Sequence, residues 1–361
     1  MPQFRIKNYL RYFKNFALNT FTPRNIPYTS QIELTLQCNA KCPFCSIQSI
    51  PNNLLGEDMS TKQVKFIIDQ LAELGVNTLT FTGGEPTLRE DLPEIIYHTG
   101  ITHNFINGIA TNGYLMPELF KKYSFDGLDY ILTSLDYPTA EQHNKIRGID
   151  VFEKVIEMIQ IANQRDIKVI ISTVVMKDNI DQLDEICELA ERLDCSIELF
   201  PCENVIREIN DTICQITSLK ERVPDLHLWA LKITELRKKF DNIITDPYSV
   251  KLVEQGGLGG YPDFYQDILR CNSAKTLLFI SHDGQIKLPC KLHPLLEIDA
   301  FKYPLNMIYN TREVREIIHN QDQYSFCNHC RLGCSVAASL TSNLKLLATK
   351  FVLNFFKGNF F

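Results

Sequence analysis

The sequence lacks the features that would assign it to a membrane-spanning, secreted or disordered class. It has no low-complexity block, and its 361 residues are 45% hydrophobic and 22% charged, which is a globular composition. It has no apolar segment of the roughly 20 residues needed to cross a bilayer. Residues 1–20 carry four basic residues and no uninterrupted apolar run, so no secretory signal peptide is predicted. We therefore expect a cytoplasmic protein with one large domain and a smaller one.

Acidic residues are missing from both ends of the chain. Residues 1–24 and 331–361 contain nine basic and no acidic residues, whereas the middle contains 28 basic and 43 acidic residues. Both ends are rich in Phe and Leu, and basic amphipathic helices of this kind can lie in a membrane interface. The alternative is that both helices pack on the protein core. No nucleic-acid partner is expected, because the acidic middle argues against a broad phosphate-binding face.

Strand-like and helical segments alternate between residues 30 and 202. The strand-like IELTLQ (32–37) precedes STKQVKFIIDQLAEL (60–74), a predicted helix capped by Ser60, and five further strand-like segments follow. Such alternation predicts a parallel sheet covered by helices. The pattern alone leaves open whether the units form an open sheet or a partial barrel. In both architectures, residues that follow strand ends meet at one edge.

The chain contains 12 cysteines. In a reducing compartment, clustered cysteines are more often metal ligands or catalytic groups than disulfides. Four of them have no tight spacing and are predicted to be buried core residues: Cys187, Cys195, Cys202 and Cys214. The other eight form an N-terminal and a C-terminal group: Cys38, Cys42, Cys45, Cys271, Cys290, Cys327, Cys330 and Cys334.

The N-terminal group, CNAKCPFC, directly follows the first predicted strand. Thiolates suit soft metals and iron–sulfur clusters, and three cysteines on a four-iron cube leave one iron without a protein ligand. A small molecule can bind and react at such an open position, whereas a structural zinc site needs four ligands. The trio therefore indicates chemistry, and the alternative is a zinc site completed by a distant residue.

The C-x₃-C-x₂-C spacing, with Phe44 just before its last cysteine, resembles the signature of the radical S-adenosylmethionine (radical SAM) superfamily. Two further segments agree in order. TGGEP (82–86) resembles the family's Gly-Gly-Glu-Pro motif, and SLDYPTAEQHNKIRG (134–148) resembles a strand-four stretch of the branch that carries additional clusters. The resemblance covers about residues 30–202. It implies an α/β fold with a partial (β/α)6 barrel of parallel strands, a [4Fe–4S] cluster that binds SAM, and SAM itself.

The resemblance also implies how SAM is held. The open iron would chelate its amino and carboxylate groups, and a flavodoxin or ferredoxin would donate the electron. The Gly-Gly turn would let Glu85 approach the methionyl ammonium, Ser134 or Asp136 would contact the ribose, and Arg147 suits the carboxylate. Phe44 and the residues around Leu199–Phe200 would border the adenine. No catalytic residue is assigned; the expected cofactor-binding residues are Phe44, Gly83, Gly84, Glu85, Asn112, Ser134, Asp136 and Arg147.

Four of these residues have a purely structural alternative. Glu85 could be an acid at a helix N-terminus, where the helix dipole stabilises it. Asp136 could cap the helix that follows it. Asn112 could serve only the turn in TNG. Arg147 could be a surface charge.

The second cysteine group resembles the twitch or SPASM extension of some radical SAM enzymes. Cys271 and Cys290 flank a predicted hairpin around Asp283-Gly284, and CNHCRLGC follows. A full SPASM pattern has seven cysteines in this region and this chain has five, so one auxiliary [4Fe–4S] cluster is expected. Its expected ligands are Cys271, Cys290, Cys327 and Cys330, with Cys334 spare or replacing one of them. A zinc knuckle that includes His329, or a redox pair, is the alternative.

The expected domain organisation is a basic amphipathic segment (1–29), a radical SAM core (30–202), a helical connection (203–265), an auxiliary-cluster domain (266–335) and an amphipathic C-terminal helix (336–361).

The expected function is reductive cleavage of SAM and hydrogen abstraction from a substrate, for oxidation or for C–C or C–S bond formation. A membrane lipid or lipid-linked substrate, with peripheral membrane contact, is a refinement drawn from the basic ends. Alternatives are a maturase of a ribosomal peptide or cofactor precursor, and a non-catalytic zinc- or cluster-binding interaction or electron-transfer protein. No leader-peptide-binding module is evident before residue 30, which weakens the peptide alternative.

Overall fold

The computed structural model describes residues 14–15, 17–19, 25–203, 206–209, 212–215, 219–258, 271–327 and 329–341. The amphipathic segments predicted at 1–29 and 336–361 lie mostly outside these residues, and so does the basis of the membrane hypothesis. Among the described helices, none combines the length and the hydropathy that a membrane span requires.

One large sheet organises the chain. The described strands are β1 (Thr29–Glu33), β2 (Thr78–Thr82), β3 (Ile106–Thr111), β4 (Tyr130–Ser134), β5 (Lys168–Val175), β6 (Ser196–Pro201), β7 (Ile206–Ile209), β8 (Thr212–Gln215), β9 (Leu277–Ile280), β10 (Gln285–Pro289) and β11 (Pro294–Asp299). Strands β1 to β6 are parallel neighbours in chain order, and β6 is the last strand of the sheet, so the barrel is unclosed. A short segment around Ile243 pairs with the outer edge of β6 at Ile197. This confirms the α/β fold with a partial parallel barrel.

Helices connect the parallel strands β1 to β6, and further helices follow β6 along the chain. They are α1 (Thr61–Leu74), α2 (Leu92–Tyr97), α3 (Met116–Lys122), α4 (Ala140–Arg147), α5 (Phe152–Gln164), α6 (Leu183–Arg192), α7 (Leu219–Arg222), α8 (Leu226–Lys239), α9 (Pro247–Glu254), α10 (Ser273–Thr276), α11 (Leu305–Ile308), α12 (Arg312–His319) and α13 (Gly333–Thr341). Helix α1 begins with the predicted Ser60 cap, which forms a capping box with Gln63, and ends at the left-handed Gly75.

The C-terminal strands extend the β1 edge of the same sheet. Strand β9 pairs in parallel with β1, β10 pairs antiparallel with β9, and β11 pairs antiparallel with β10. The turn between β9 and β10 contains Gly284 at φ 84°, so the hairpin predicted around Asp283-Gly284 is confirmed. The sheet therefore runs without interruption from the barrel into the region that carries the second cysteine group.

The connection after β6, residues 203–265, was predicted to be helical, but it also contains two strands. An antiparallel hairpin, β7–β8, precedes α7. Asn210-Asp211 separates two short strand-like segments, IREI and TICQ, and was the available turn signal. Strand β8 contacts the 3₁₀ turn Ser46–Ser49 that follows Cys45. The hairpin therefore lies against the first cysteine loop.

Alternation along the strands defines the inner face of the barrel. In β6 the side chains of Ile197 and Leu199 are fully buried against helices, while those of Glu198 and Phe200 are partly exposed. On the same inner face, the Tyr130 hydroxyl hydrogen-bonds Thr80 Oγ1 at 2.6 Å, across from β4 to β2. Tyr130 begins β4, so its ring fills the amino end of the barrel. The remaining inner space opens at the carboxyl ends of the strands.

The four scattered cysteines lie where the sequence predicted. Cys187, Cys195, Cys202 and Cys214 are all buried. Cys187 and Cys195 belong to the main core, and Cys214 packs with Leu36 and Ile47 beneath the β7–β8 hairpin. These four cysteines therefore pack as apolar core residues, as predicted.

Candidate active site

The Gly-Gly-Glu-Pro turn is fixed to the segment that leads into Cys38. The Gly84 amide donates a hydrogen bond to the Thr35 carbonyl at 2.7 Å, and the Glu85 amide donates one to the Gln37 carbonyl at 2.8 Å. A Cβ atom on Gly84 would lie 2.1 Å from the Gln37 carbonyl oxygen. Glycine is therefore required here because two backbones approach each other, and the end of β2 positions the first cysteine.

Replacing Gly84 with alanine is expected to displace this segment and to lower the amount of cluster bound by the N-terminal trio. Overpacking of this kind costs about 1–3 kcal/mol even where side chains can adjust, and here the clashing atom belongs to the backbone. Iron content and thermal melting measure the effect. Gly333→Ala is the matched control, since the atoms nearest its Cβ would be those of the Phe200 ring at 3.4–3.5 Å, an ordinary contact. Equal iron content in both variants would contradict the prediction.

Glu85 connects three strand ends. Its Oε1 accepts hydrogen bonds from the hydroxyls of Thr87 and Thr111, at 2.5 and 2.7 Å, and its Oε2 accepts one from the Asn112 amide at 2.7 Å. Asn112 in turn donates from Nδ2 to Asn39 Oδ1, 2.7 Å away in the cysteine loop. Burial raises the pKa of Glu85, and these hydrogen bonds oppose the rise. The network holds the cysteine loop against the ends of β2 and β3.

The geometry is compatible with both interpretations of Glu85, a capping residue and a contact of the SAM ammonium group. Its carboxylate accepts a hydrogen bond from the Thr87 amide at the start of the 3₁₀ turn Pro86–Leu88, which is the capping alternative. It is also 1% exposed at the carboxyl end of β2, where a SAM ammonium group was expected. Asn112 similarly serves its turn, because its Oδ1 accepts from the Tyr114 amide.

Arg147 is not a surface charge but is buried beside the cysteine trio. Its guanidinium pairs with Asp136 Oδ2 at 2.5 Å and donates from NH1 to Cys42 Sγ at 3.7 Å. The Phe44 ring stacks on it, with 5.2 Å between the ring centroid and Cζ. The Lys41 amide donates to the Arg147 carbonyl, which ties the end of α4 to the cysteine loop.

Both carboxylate oxygens of Asp136 have partners in this part of the fold. It is completely buried, and its Oδ1 accepts the Val174 amide at 3.0 Å while Oδ2 faces Arg147. Burial raises the pKa of Asp136, and the adjacent guanidinium opposes that rise. Thr139, not Asp136, occupies the N-cap position of α4, so the capping alternative is wrong. The Asp136 carboxylate therefore orients the guanidinium of Arg147.

The residues fit an iron–sulfur cluster with a bound carboxylate ligand. Burial is the main cause that raises the pKa of Cys38 to about 11, and the nearby thiols of Cys42 and Cys45 add to the rise. Burial likewise raises the pKa of Cys42. Metal binding displaces such protons. Arg147 Nε is buried and has no hydrogen-bond partner among the described residues, so it is a free donor at the site. Ser134 ends β4 on the inner face, beside these groups in the sheet order.

A second group of thiols surrounds one cavity. Four cysteines line a space of about 230 Å³, together with Glu203, His329 and Arg331; they are Cys271, Cys290, Cys327 and Cys330. Burial is the largest cause that raises the pKa of the Cys327 thiol to about 12, and Cys271 and Cys290 add to it. Cys334 does not line the cavity, although it adds to the rise of the Cys290 pKa.

The spacing of these ligands differs from that of a zinc knuckle. Four ligands around one zinc ion lie within about 4 Å of one another, because each is about 2.3 Å or less from the metal. Within the described part of the chain, no three cysteine or histidine ligand atoms of this cavity lie within 4.8 Å of one another. The cavity therefore suits a body larger than a single ion.

Glu203 is a site residue that sequence reasoning missed. It follows Cys202 at the end of β6, and Cys202 belongs to a small apolar cluster that contacts Phe44. Burial raises the pKa of Glu203 to about 7, and Arg331 opposes the rise. The signal in the sequence was an acidic residue directly after the sixth strand. Residues 202–203 thus join the two thiol groups across one strand end.

His143 holds the Asp136 backbone from behind and is neutral. Its Nδ1 accepts the Asp136 amide at 3.2 Å, and the ring is completely buried. Burial, and then the nearby Arg147 charge, lower its pKa to about 2. An unfolded chain protonates this group near pH 6.5, so its contribution to stability is present above that pH and is lost as the pH falls.

We expect the pH dependence of stability to reveal this neutral histidine. Between pH 7 and pH 5, protonation in the unfolded chain costs about 2 kcal/mol of stability, at about 1.4 kcal/mol per pH unit below 6.5. His143→Gln should remove that part of the loss. Anaerobic urea denaturation at both pH values, with both proteins in the same metal-loaded state, measures the difference. Equal losses in the two proteins would show that His143 takes up a proton in the folded chain.

Comparisons with known proteins agree with this architecture. Residues 32–190 match the Radical SAM superfamily. An AdoMet-dependent heme synthase of Methanosarcina barkeri is 33% identical over 340 residues, which cover 87% of this chain and 93% of the relative. The mycofactocin maturase MftC of Mycolicibacterium smegmatis is 28% identical, over 86% of this chain and 78% of its own. Streptococcus suis SuiB bound to S-adenosylmethionine matches 96% of this chain and 79% of its own, with a TM-score of 0.66 and 17% identity. Sequence, fold and relatives together show that the chain belongs to the radical SAM superfamily, with S-adenosylmethionine and iron–sulfur clusters as its cofactors and a C-terminal extension of the SPASM or twitch type.

Proposed function

We propose that this protein oxidises a cofactor precursor by two electrons. In this proposal Cys38, Cys42 and Cys45 hold the SAM-binding cluster, and the four thiols of the 230 Å³ cavity hold one auxiliary cluster. When bound, the SAM-binding cluster would supply one electron for reductive cleavage of SAM, SAM would supply the hydrogen-abstracting group, and the auxiliary cluster would accept the second electron. The substrate would thereby lose one hydrogen atom, one proton and one electron, a two-electron oxidation.

The observation that carries the proposal is the position of the two thiol groups on either side of the β6 end. Phe44, next to Cys45, packs against the apolar side-chain group that includes Cys202. The next residue, Glu203, lines the cavity of the C-terminal thiols. A substrate in the barrel mouth between them would be near a source of radicals and near an electron acceptor. That arrangement suits oxidation better than a reaction in which the electron stays with the product.

The chain's own residues then bind and orient. Arg147 offers its unpartnered Nε to an anionic group, which fits the SAM carboxylate, and Asp136 fixes the plane of the guanidinium. The Phe44 ring covers one face of that guanidinium. Ser134 presents a hydroxyl on the inner face, which fits a ribose contact. Glu203 and Arg331 place one acidic and one basic group at the mouth of the auxiliary cavity, where they can recognise the polar part of a substrate.

The substrate class rests on the relatives. The M. barkeri relative is named as a heme synthase, and its match extends over nearly the full length of both chains. A tetrapyrrole precursor is therefore the first substrate to test. A peptide is the second candidate, because the match to the mycofactocin maturase MftC is almost as long. The lipid hypothesis rests on the basic terminal segments, and liposome sedimentation with and without residues 1–24 would address it.

The proposal is tested with anaerobically prepared protein in which both clusters have been reconstituted. Dithionite and SAM should yield 5′-deoxyadenosine, and a tetrapyrrole precursor should increase its rate of formation and be converted to a product two hydrogens lighter, or to its decarboxylated equivalent. A substrate deuterated at the reacting position should transfer deuterium to 5′-deoxyadenosine. Stimulation by peptides or lipids and not by the tetrapyrrole would overturn the substrate class. Absence of 5′-deoxyadenosine under every condition would overturn the function.

A further inference from the structure

Three potential metal ligands converge on the outer face of the barrel, away from both cysteine groups. Asp69 lies on α1, and His98 and His103 lie on the turn after α2. Asp69 Oδ1 is 2.7 Å from Nε2 of both histidines, and the two imidazole rings meet edge-to-face with centroids 4.9 Å apart. All three ligand atoms lie within 4.8 Å of one another. Two imidazoles and a carboxylate are a donor set that divalent transition metals prefer.

A π-helical turn brings the two histidines to the same side. Residues His98–Thr102 form this turn, and the His103 amide donates to the His98 carbonyl five residues earlier. In an α-helix, residues five apart point about 140° away from each other, because each residue turns by about 100°. The wider π turn brings residues i and i+5 nearly into line. Without it, His98 and His103 could not both reach Asp69.

Packing holds this turn in place without any ligand. Its Gly100 lies against the turn before β4, where an added Cβ would be 2.1 Å from the Gly127 carbonyl oxygen. Thr99 Oγ1 donates to the Ile95 carbonyl, and the Phe105 amide donates to the Thr99 carbonyl. The histidine side chains are 19% and 24% exposed, and Asp69 is 46% exposed. The ligand atoms are therefore positioned by the fold and still open to solvent.

We propose that Asp69, His98 and His103 bind a divalent transition-metal ion, Zn²⁺, through both imidazole Nε2 atoms and one carboxylate oxygen. Ligands about 2.0–2.1 Å from zinc lie roughly 3–3.4 Å from each other, so the carboxylate must withdraw by about half an ångström. The exposure of Asp69 permits this movement. Solvent completes the coordination. The ion joins α1 to the turn that precedes β3, and its role is to stabilise that junction.

The position of the site separates it from the redox chemistry. His103 lies three residues before β3 begins, at the amino end of the parallel sheet. The cysteine trio follows the carboxyl end of β1. The barrel therefore stands between the two sites, and zinc here can be measured without reference to SAM cleavage.

The test uses the full-length protein with its iron–sulfur clusters reconstituted, so that the cysteines are occupied. After incubation with Zn²⁺ and gel filtration, wild-type protein should retain one zinc ion per chain more than the His98→Gln/His103→Gln variant, with equal iron in both. X-ray absorption at the zinc edge should show only nitrogen and oxygen at about 2.0–2.1 Å, and no sulfur at about 2.3 Å. The melting temperature of the wild type should rise with zinc concentration, and that of the variant should not.

Two further variants make the result specific. His227→Gln removes a histidine whose Nδ1 lies 2.6 Å from Glu254 Oε1. Among the described residues this histidine–carboxylate pair has no third ligand within 4.8 Å, so the variant should bind zinc like the wild type. Asp69→Asn keeps the size of the side chain and should lose the bound zinc; it carries the test if the double variant fails to fold. A sulfur shell around zinc, or the same zinc content in the wild type and in Asp69→Asn, would overturn the proposal.

Discussion

Replacing Cys38, Cys42 and Cys45 with alanine is expected to abolish 5′-deoxyadenosine formation and to lower the iron content from about eight to about four atoms per chain. The three thiols are the proposed ligands of the cluster that binds SAM, and they stand on one loop fixed by the Gly84 and Glu85 amides. The measurement combines iron and sulfide analysis with chromatography of the dithionite and SAM reaction. The loss should be complete, because the variant removes every thiol of the CNAKCPFC loop.

The reciprocal change tests the second group. Alanine at Cys271, Cys290, Cys327 and Cys330 should also leave about four iron atoms, yet this variant should still cleave SAM and should fail to release oxidised product. Cys187→Ala/Cys195→Ala is the matched control, since both thiols are buried in the main core, and it should retain about eight iron atoms. Eight iron atoms or continued 5′-deoxyadenosine formation in the N-terminal variant would contradict the assignment. Cys334→Ala should resemble the wild type if that thiol is spare.

The parts of the site that could be predicted from sequence are those in which ligands are close along the chain. CNAKCPFC and CNHCRLGC are local patterns in which the thiols lie close along the chain, so cluster ligands can be predicted from their spacing alone. The strand ends were also predictable, since β-branched segments alternate with amphipathic ones and parallel strands share a carboxyl edge. The glycines of TGGEP were predicted to let the turn approach SAM, which stays a prediction. In the fold, a Cβ on either glycine would clash with the Thr35 or the Gln37 carbonyl oxygen.

The parts that could not be predicted depend on where helices return. Asp136 and Arg147 stand at opposite ends of the segment that contains α4, and only the packing of that helix shows that they pair with each other. Glu203 lines the second cavity just after the end of β6, the last strand of the sheet. The Asp69, His98 and His103 group needs a π turn, which helical periodicity at 3.6 residues per turn does not anticipate. In each case the spacing of the residues along the sequence does not predict that they come into contact.

Changing Asp136 to asparagine is expected to destabilise the protein by roughly 3–5 kcal/mol, because it leaves the Arg147 charge buried without a counter-charge. Asp136 is completely buried, and the side chain of Arg147 is 8% exposed, so solvent cannot compensate for the lost carboxylate. The comparison is with Glu94→Gln, which breaks the exposed Lys65–Glu94 pair and should cost at most about 1 kcal/mol. Anaerobic urea denaturation of each protein in the same metal-loaded state measures the difference.

A double variant separates the structural from the functional part of this pair. In Asp136→Asn/Arg147→Leu no buried charge remains, so much of the lost stability should return, as it often does when a buried ion pair is replaced by apolar groups. SAM cleavage should not return, because the guanidinium that contacts Cys42 Sγ and offers its free Nε to a ligand is gone. A stable double variant that cleaves SAM at the wild-type rate would show that Arg147 only fills space. A double variant as unstable as Asp136→Asn would show that the buried charge is not the cause of the loss.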